Sequence, residues 1–478
     1  MSEVIALAGW SPEVLAYAYA MYSRSKLSIR ESIKKISEEK SEKFFEQYYF
    51  GFGHKSIADN AHISLSFENI SQIAAFELED QSLWDGQERS TRYQSFDTDD
   101  NIFIPASIQK TPFESKYVEI AESLMERYRY FSAQILTGLS QKYSKPSNMD
   151  DDVYVRTLKA RAFDVARYCL FNGIKTNVGQ ITSARTLEEQ SCRLLSSPYE
   201  EIRDLGLSIK KACNAKPFCP EGKDEPPVAP TLLKYVDANR YLVSFREELT
   251  QLADRLLVNI PFRKTVSAVE MAGGYNLLIE SVATLLYQHS HRSYADILDF
   301  VWRLKEKNQE MIFNLALAER GTHDAWPRAF ASGYKLQFDI VMDRGGERDL
   351  HRHRNCIQIH QPLTTELGWE KPDLIVELGL GNDYDDFMLS MSNEINNLNK
   401  KVGVEADYLI PFAFRSATLY KQNLSQVAYV TELRSTPAGH FSYRKIACQM
   451  HELMLEKYPF LAGVMRVTPF EDQDIFKR

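Results

Sequence analysis

Helical spacing dominates the chain, interrupted by a few short alternating stretches. Apolar positions recur at three- and four-residue intervals through "ESKYVEIAESLMERYRYFSAQIL", within roughly 111–160, and through "DANRYLVSFREELTQLADRLLVNI" (237–260). Both segments are expected to be amphipathic helices. In contrast, "HISLSF" (62–67) and "YKLQFDIVMD" (334–343) alternate with a period of two, as half-buried strands do. More helical sequence is expected at "CRLLSSPYEEIR" (192–203) and "ELRSTPAGHFSYR" (432–444). Helices with a few segregated strands predict an α+β architecture.

The order of elements occurs twice. Residues 4–56 and 268–325 each run Ala-Gly, amphipathic helix, Ser-rich turn and charged helix, reaching His54 in one case and His323 in the other. Each is followed by an alternating strand, and each half ends in one of the two related helical signatures. The unit exceeds about 200 residues, which points to a duplicated domain rather than a solenoid. The Pro-rich, charged stretch "NAKPFCPEGKDEPPVAP" (214–230) separates the copies. The expected organisation is a first repeat over 1–213, a linker and connecting helix over 214–261, and a second repeat over 262–478. The helices near 111–160 read as extra material in the first copy.

Composition narrows the function classes. With 44% hydrophobic and 26% charged residues the chain is an ordinary globular one, and a net charge of −8 argues against nucleic acid as the main partner. Any binding of phosphate must therefore be local. Six scattered cysteines form no CxxC pair or disulfide framework, and no stretch has the length of a membrane span or the basic start of a signal peptide. These features predict a cytoplasmic protein without membrane partners.

Against that acidic background, "DLHRHRNCIQIHQ" (349–361) packs Arg352, His353 and Arg354 together. Two planar guanidinium forks suit a phosphate, a pyrophosphate or a pyrimidine carbonyl. The structural alternative is a solvated helix start with ion pairs to Glu347 and Asp349. A metal site on His351, His353 and His360 is disfavoured by the adjacent cations, and none is expected. In the other half, "QERSTRYQSF" (87–96) offers Ser90 and Arg92 to a phosphate, or forms an ordinary turn with Arg92 paired to Asp97. His54 and Ser56 follow glycines at the mouth of a strand, where Ser56 could equally cap a helix.

Taken together, "GHKSIADNAHISLSF", "QERSTRY" and "RHR" resemble the two halves of the signature of the flavin-dependent thymidylate synthases, R-H-R-x-x-S-x-N-E-x-S-x-R-Y preceded by G-H-x-S/T. The first copy keeps Glu88, Ser90, Arg92 and Tyr93 but has Asp80, Gln81 and Ser82 in place of R-H-R. The second keeps Arg352, His353 and Arg354 but loses the E-x-S-x-R-Y half. The division continues downstream: Arg167 resembles the family's Arg before Leu-Pro, where the second copy has Asp407. Asn423 and Arg434 resemble its Asn and Leu-Arg, where the first copy has Ser183 and Leu194. Asp349 stands where the family has Gln.

This resemblance implies reductive methylation of dUMP to dTMP, with FAD as cofactor and NADPH and methylenetetrahydrofolate as co-substrates. It assigns Arg352, Arg434 and Ser90 to catalysis. Glu88, Ser90, Arg92, Arg167, Arg352 and Arg434 would hold the nucleotide, and His54, Ser56, Arg352, His353, Arg354 and Asn423 the flavin. Because the family builds its site between subunits of a homotetramer, the complementary losses imply one composite site per junction of unlike copies, in a homodimer that acts as a pseudo-tetramer. The alternatives are a catalytically altered nucleotide- or flavin-binding homologue, and flavin chemistry on another pyrimidine.

Overall fold

The computed structural model describes residues 9–458 and 465–471 together with 5 and 7, except 24, 27, 34–37, 47–54, 93–95, 97–98, 221, 223, 263–267, 273–276, 320–326, 328 and 330–335. The first half runs α1 (Pro12–Tyr22), α2 (Ile29–Ile33), α3 (Glu38–Phe45), β1 (His62–Ile70), α4 (Gln72–Glu79) and β2 (Asp85–Glu88). It continues through α5 (Glu114–Lys142), α6 (Asp151–Ala166), β3 (Thr176–Ser183), α7 (Ala184–Leu195) and α8 (Glu200–Asn214). The connecting helix is α9 (Arg240–Leu256). Then follow β4 (Val269–Ala272), α10 (Leu277–Gln288), α11 (Tyr294–Arg303), α12 (Glu306–Leu315), β5 (Leu336–Asp343), α13 (Arg344–His351) and β6 (Ile357–His360). The chain closes with α14 (Asp373–Glu377), α15 (Gly381–Val402), β7 (Arg415–Gln422), α16 (Leu424–Arg434) and α17 (Phe441–Lys457).

Both halves therefore carry the same succession of strand, helix, short strand, two helices, a 3-10 turn, strand and two helices. The sheet orders agree as well, β1-β3-β2 in one and β5-β7-β6, with β4 added beside β5, in the other. The helices near 111–160 are not peculiar to the first half, since α14 and α15 occupy the same place in the second. The two helical signatures fall at helix junctions, between α7 and α8 and between α16 and α17, and do not form continuous helices.

Packing does not follow chain order. One compact unit comprises Met1–Glu68, Glu77–Glu88 and Asn177–Arg240, and the other Asn69–Phe76, Arg89–Thr176 and Tyr241–Arg478. In the first unit the end of the Pro-rich stretch is tied down: Glu13 N–H donates to the Val228 carbonyl, and just past the stretch the buried Glu13 carboxylate accepts from the N–H groups of Thr231 and Leu232 at 2.9 and 3.1 Å. Within its sheet, Trp84 Nε1 donates to Gln180 Oε1 at 2.7 Å, and Gln180 Nε2 donates to Gln190 Oε1 at 2.9 Å.

The second unit draws residues 89–176 out of the expected first repeat, because backbone pairing holds them there. Phe171 and Pro411 form an antiparallel bridge, Gly173 N–H donates to the Tyr408 carbonyl, and Phe412 N–H donates to the Leu170 carbonyl. The segments after Arg167 and after Asp407, each the 3-10 turn and chain leading into β3 or β7, are thus zipped together. All eight positions of β5 are buried, a departure from the half-buried strand expected. Its apolar residues Leu336, Phe338, Ile340 and Met342 pack with residues of α16 and α17. Its polar residues are covered too, each with a partner: Gln337 Nε2 donates to Glu280 on α10, and Asp339 accepts from Tyr287 OH and Tyr294 N–H. Alternation survives, but the polar side is sealed by helix instead of water.

Candidate functional site

The site is built around α13, within the second unit. Asp343 caps the helix, accepting from Gly346 N–H at 2.7 Å. A Cβ on Gly346 would stand 2.5 Å from Ser442 Oγ and 2.6 Å from the Met342 methyl, so only glycine lets α13 approach α17 this closely. Arg352 is the C-cap residue, which puts Arg352, His353 and Arg354 at the end of a helix and not at a start, where cations are favoured by the helix dipole. Gln358 Nε2 fastens the turn by donating to the carbonyls of His351 and His353. Glu347 is not a surface partner for these arginines. It is buried and bound to Arg344, His360, Ser416 and Thr418.

Asp349 sits where charge from both halves converges. Arg167, 1% exposed in the 3-10 turn Arg167–Cys169, donates from Nη2 to Asp349 Oδ2 at 3.3 Å. Burial alone would raise the Asp349 carboxyl, but Arg167, Arg92, Arg352 and Arg434 outweigh it and hold its pKa at about 2. The side chain of Asp349 is 18% exposed and that of Arg167 2%, so the carboxylate is the more accessible member of the pair.

The other groups are locked by their neighbours. Arg92 makes a bidentate pair with buried Asp164 at 2.7 and 3.1 Å, and its Nη1 donates to Tyr443 OH at 3.1 Å. The Tyr443 ring also has the Arg434 guanidinium over it, 5.2 Å from its centroid. Arg434 Nε donates to His353 Nε2 at 2.6 Å, which requires that nitrogen to be unprotonated. Burial first, then Arg434 and Arg354, lower the His353 pKa to about 3. His440, the cap of α17, is held neutral in the same way: Nδ1 accepts from Ser442 N–H and Nε2 donates to the Asp164 carbonyl.

Of the residues expected to form a site, Arg92, Arg167, Arg352, His353 and Arg434 are thus brought together, with Arg354 acting on His353. The Ser90 hydroxyl accepts from Arg92 N–H at 3.2 Å, shaping that turn. Arg92 pairs with Asp164, and Asp97, its expected partner, lies outside the described residues. Glu88 ends β2 opposite Val178. His54 and Tyr93 lie outside the described residues, as does the side chain of Ser56.

Asn423 is exposed at the N-cap of α16, its Oδ1 accepting from Gln426 N–H at 2.9 Å. Arg434 ends the same helix, which separates the two by roughly 16 Å along the axis. Replacing Asn423 by Ala should therefore cost about 1 kcal/mol of stability through the lost cap, measurable by urea denaturation. In the first half Ser183 caps α7 and Leu194 lies near its end, the matching positions. Asp164 and Tyr443 were not singled out from sequence. Tyr443 lies in the segment 432–444 and Asp164 just beyond the helical stretch at 111–160, but nothing local marks either as a partner of Arg92.

A cavity of about 440 Å³ shares Asp164 with this cluster and is otherwise lined by other groups, among them Tyr168, Asp343, Phe441 and Ser442. Arg92, Arg167, Arg352 and Arg434 are not part of its wall, so the arginine site and this cavity are distinct.

Comparison with known proteins agrees with the sequence motifs. Residues 4–221 match the family model described as thymidylate synthase complementing protein. A UPF0159 protein of Chlamydia pneumoniae is 24% identical, aligned over 99% of this chain and 93% of its own length. A flavin-dependent thymidylate synthase of Clostridium tetani is 24% identical over 37% of this chain and 67% of its own. Among solved structures, a Helicobacter pylori flavin-dependent thymidylate synthase complexed with FAD and dUMP is 16% identical, covering 42% of this chain and 89% of that one with a TM-score of 0.25.

Proposed function

We propose that the chain, whose residues 4–221 match the thymidylate synthase complementing protein model, is a member of that family and a flavin-dependent thymidylate synthase with one composite site made from unlike halves of a duplicated chain. The observation that carries the reading is that Arg167 from the first half meets Asp349 at 3.3 Å, while Arg92 from the first half and Arg434 from the second both meet Tyr443. In this reading each half retains what the other has lost.

The reaction transfers a methylene group from methylenetetrahydrofolate to C5 of dUMP, expels the C5 proton, and ends with two-electron reduction to the methyl group and release of tetrahydrofolate. Bound FAD, once reduced by NADPH, would supply that hydride. The donor set fits an anionic cofactor: Arg352 and Arg434 both lower the Asp349 carboxyl, and Arg434 and Arg354 help keep His353 neutral. Arg352 and Arg434 would bind and polarise the pyrimidine, stabilising negative charge that develops on the ring. His353 accepts from Arg434 and so orients its guanidinium, while Tyr443 supports it from below. Ser90, Arg92, Arg167 and Glu88 belong to the nucleotide side. His54, Ser56 and Asn423 complete the flavin set that the family resemblance assigns. Two copies of the chain would make the pseudo-tetramer.

The test is to incubate the protein with dUMP, methylenetetrahydrofolate, FAD and NADPH and to assay dTMP. Arg352→Ala is expected to lower turnover by about 10- to 100-fold, as loss of one charge-assisted contact does. No dTMP from the unmodified protein, with no flavin retained, would overturn the proposal.

A further inference from the structure

We propose that the cavity walled by Asp343, Tyr168 and Ser442 is a binding site for a small planar organic cation, an amidinium or guanidinium, that takes the Asp343 carboxylate as its counter-ion and donates to the Tyr168 hydroxyl. The proposal rests on this cavity alone and not on the function read from the arginine cluster. The volume of about 440 Å³ is that of a small-ligand site.

Three observations support it. The first is Tyr168, fully buried on the cavity wall, whose hydroxyl has no hydrogen-bond partner among the described residues. Folded proteins seldom leave such a group unanswered. Burial and then Asp343 hold the phenol well above its ordinary pKa, with Glu370 adding to them against Arg167, so it stays protonated. Both carboxylates line the same cavity, which puts the hydroxyl end of the ring on its acidic side.

The second is Asp343 itself, 0% exposed. Its carboxylate accepts from Gly346 N–H and from the Ser442 hydroxyl, which leaves about half of its lone pairs for another donor. No Lys or Arg among the described residues forms an ion pair with it. Burial raises it to about 6, and Ser442 and Arg167 offset that only in part. A cation at its side would supply the missing charge.

The third is that the neighbouring charges are already matched. Asp164 pairs with Arg92, Glu370 with Arg415 and Glu377 with Lys142, while Lys371 is turned to Asp385. Arg444 donates to the Ser435 and Pro469 carbonyls. Asp343 is therefore the buried carboxylate of this wall left to a ligand, and the rings of Tyr168 and Phe441 offer a flat cation an aromatic surface.

The experiment titrates the full chain calorimetrically with benzamidine, benzamide and benzoate, which share a ring and differ in charge. Benzamidine is expected to bind about tenfold or more tightly than benzamide, and benzoate not measurably. Asp343→Asn keeps a side chain that can cap α13, and should lower benzamidine affinity by about tenfold or more. Tyr168→Phe removes only the unpartnered hydroxyl, and should lower it by about three- to tenfold without moving the urea midpoint. Benzamidine that fails to bind or binds no tighter than benzamide, or an unchanged affinity in either variant, would overturn the proposal. So would a lower midpoint for Tyr168→Phe, which would mean that the hydroxyl already has a structural partner. Should Asp343→Asn not fold, the ligand series and Tyr168→Phe decide.

Discussion

Lowering the pH from 6.5 to 4.5 is expected to remove roughly 2–6 kcal/mol of folding stability, measurable as a falling midpoint in urea or guanidinium titrations at intermediate pH values. The cause is three buried histidines that the fold holds neutral. Burial and Arg246 lower His289 to about 4, burial with Arg434 and Arg354 lowers His353 to about 3, and His440 lies well below its ordinary value, by burial first and then Arg167. Each takes up a proton on unfolding once the pH is below about 6.5. A base with a depressed folded pKa contributes stability above its unfolded value and loses it on acidification, so all three terms act in one direction. Asp343 opposes them. Its burial raises it to about 6, so its contribution is full below the ordinary carboxylate value and is lost as the pH rises through 6. Glu13, which burial also raises, opposes them too, while His291, which burial lowers, adds to them. A net uptake of about one to two protons on unfolding gives roughly 1–3 kcal/mol per pH unit. Toward pH 4 and below, Glu347 and Asp349, both depressed by arginines despite their burial, begin to add to the loss. Replacing His353 by Gln should flatten the slope by about 1.4 kcal/mol per pH unit. A stability that stays level between pH 7 and 5 would mean that these rings are not held neutral.

Asp164→Ala is expected to destabilise the protein by about 3–5 kcal/mol, the range seen when one partner of a buried ion pair is removed. Asp164 is 2% exposed and is the bidentate partner of Arg92, with Arg161 a further 3.7 Å away. Without it the Arg92 guanidinium would remain buried, with Tyr443 OH and the more distant Ala438 carbonyl as acceptors among the described residues. The penalty is therefore mostly that of an uncompensated charge, not the intrinsic strength of the pair. A second substitution distinguishes these. Asp164→Ala combined with Arg92→Met removes both charges and should recover a large part of the loss in a double-mutant cycle. Equal destabilisation of the single and double variants would show that Asp164 acts through packing. Loss of activity in Asp164→Ala without loss of stability would instead place the pair in the chemistry alone.

Several elements were legible from local pattern. The strand at 62–67, the helices within 111–160 and 237–260, and the second strand were placed by hydrophobic period, and all four appear where the period put them. The same pattern misjudged the burial of β5, because a helix covering a polar face leaves no mark on the strand's own alternation. It also read α5 and α6 as peculiar to the first half, because α14 and α15 share their position but not their lengths. At the site, the cationic residues were visible as a cluster of Arg and His against an acidic chain. The groups that fix their protonation and direction were not. Asp164, Tyr443 and His440 are unremarkable in their own segments, and each gains meaning only from a partner 72, 351 or 276 residues away in the chain.

Local sequence was thus enough to determine the mixed helix-and-sheet class, the recurrence of one element order, and which arginines each half had kept. Only tertiary structure decided that Arg167 pairs with Asp349, that Arg92 and Arg434 meet at Tyr443, and that residues 89–176 pack with the opposite half. The reason is one of range. Periodicity and capping are properties of neighbours a turn or a strand pair apart, whereas the charge state of a buried carboxylate or imidazole is the sum of fields from groups that only folding brings within a few ångströms.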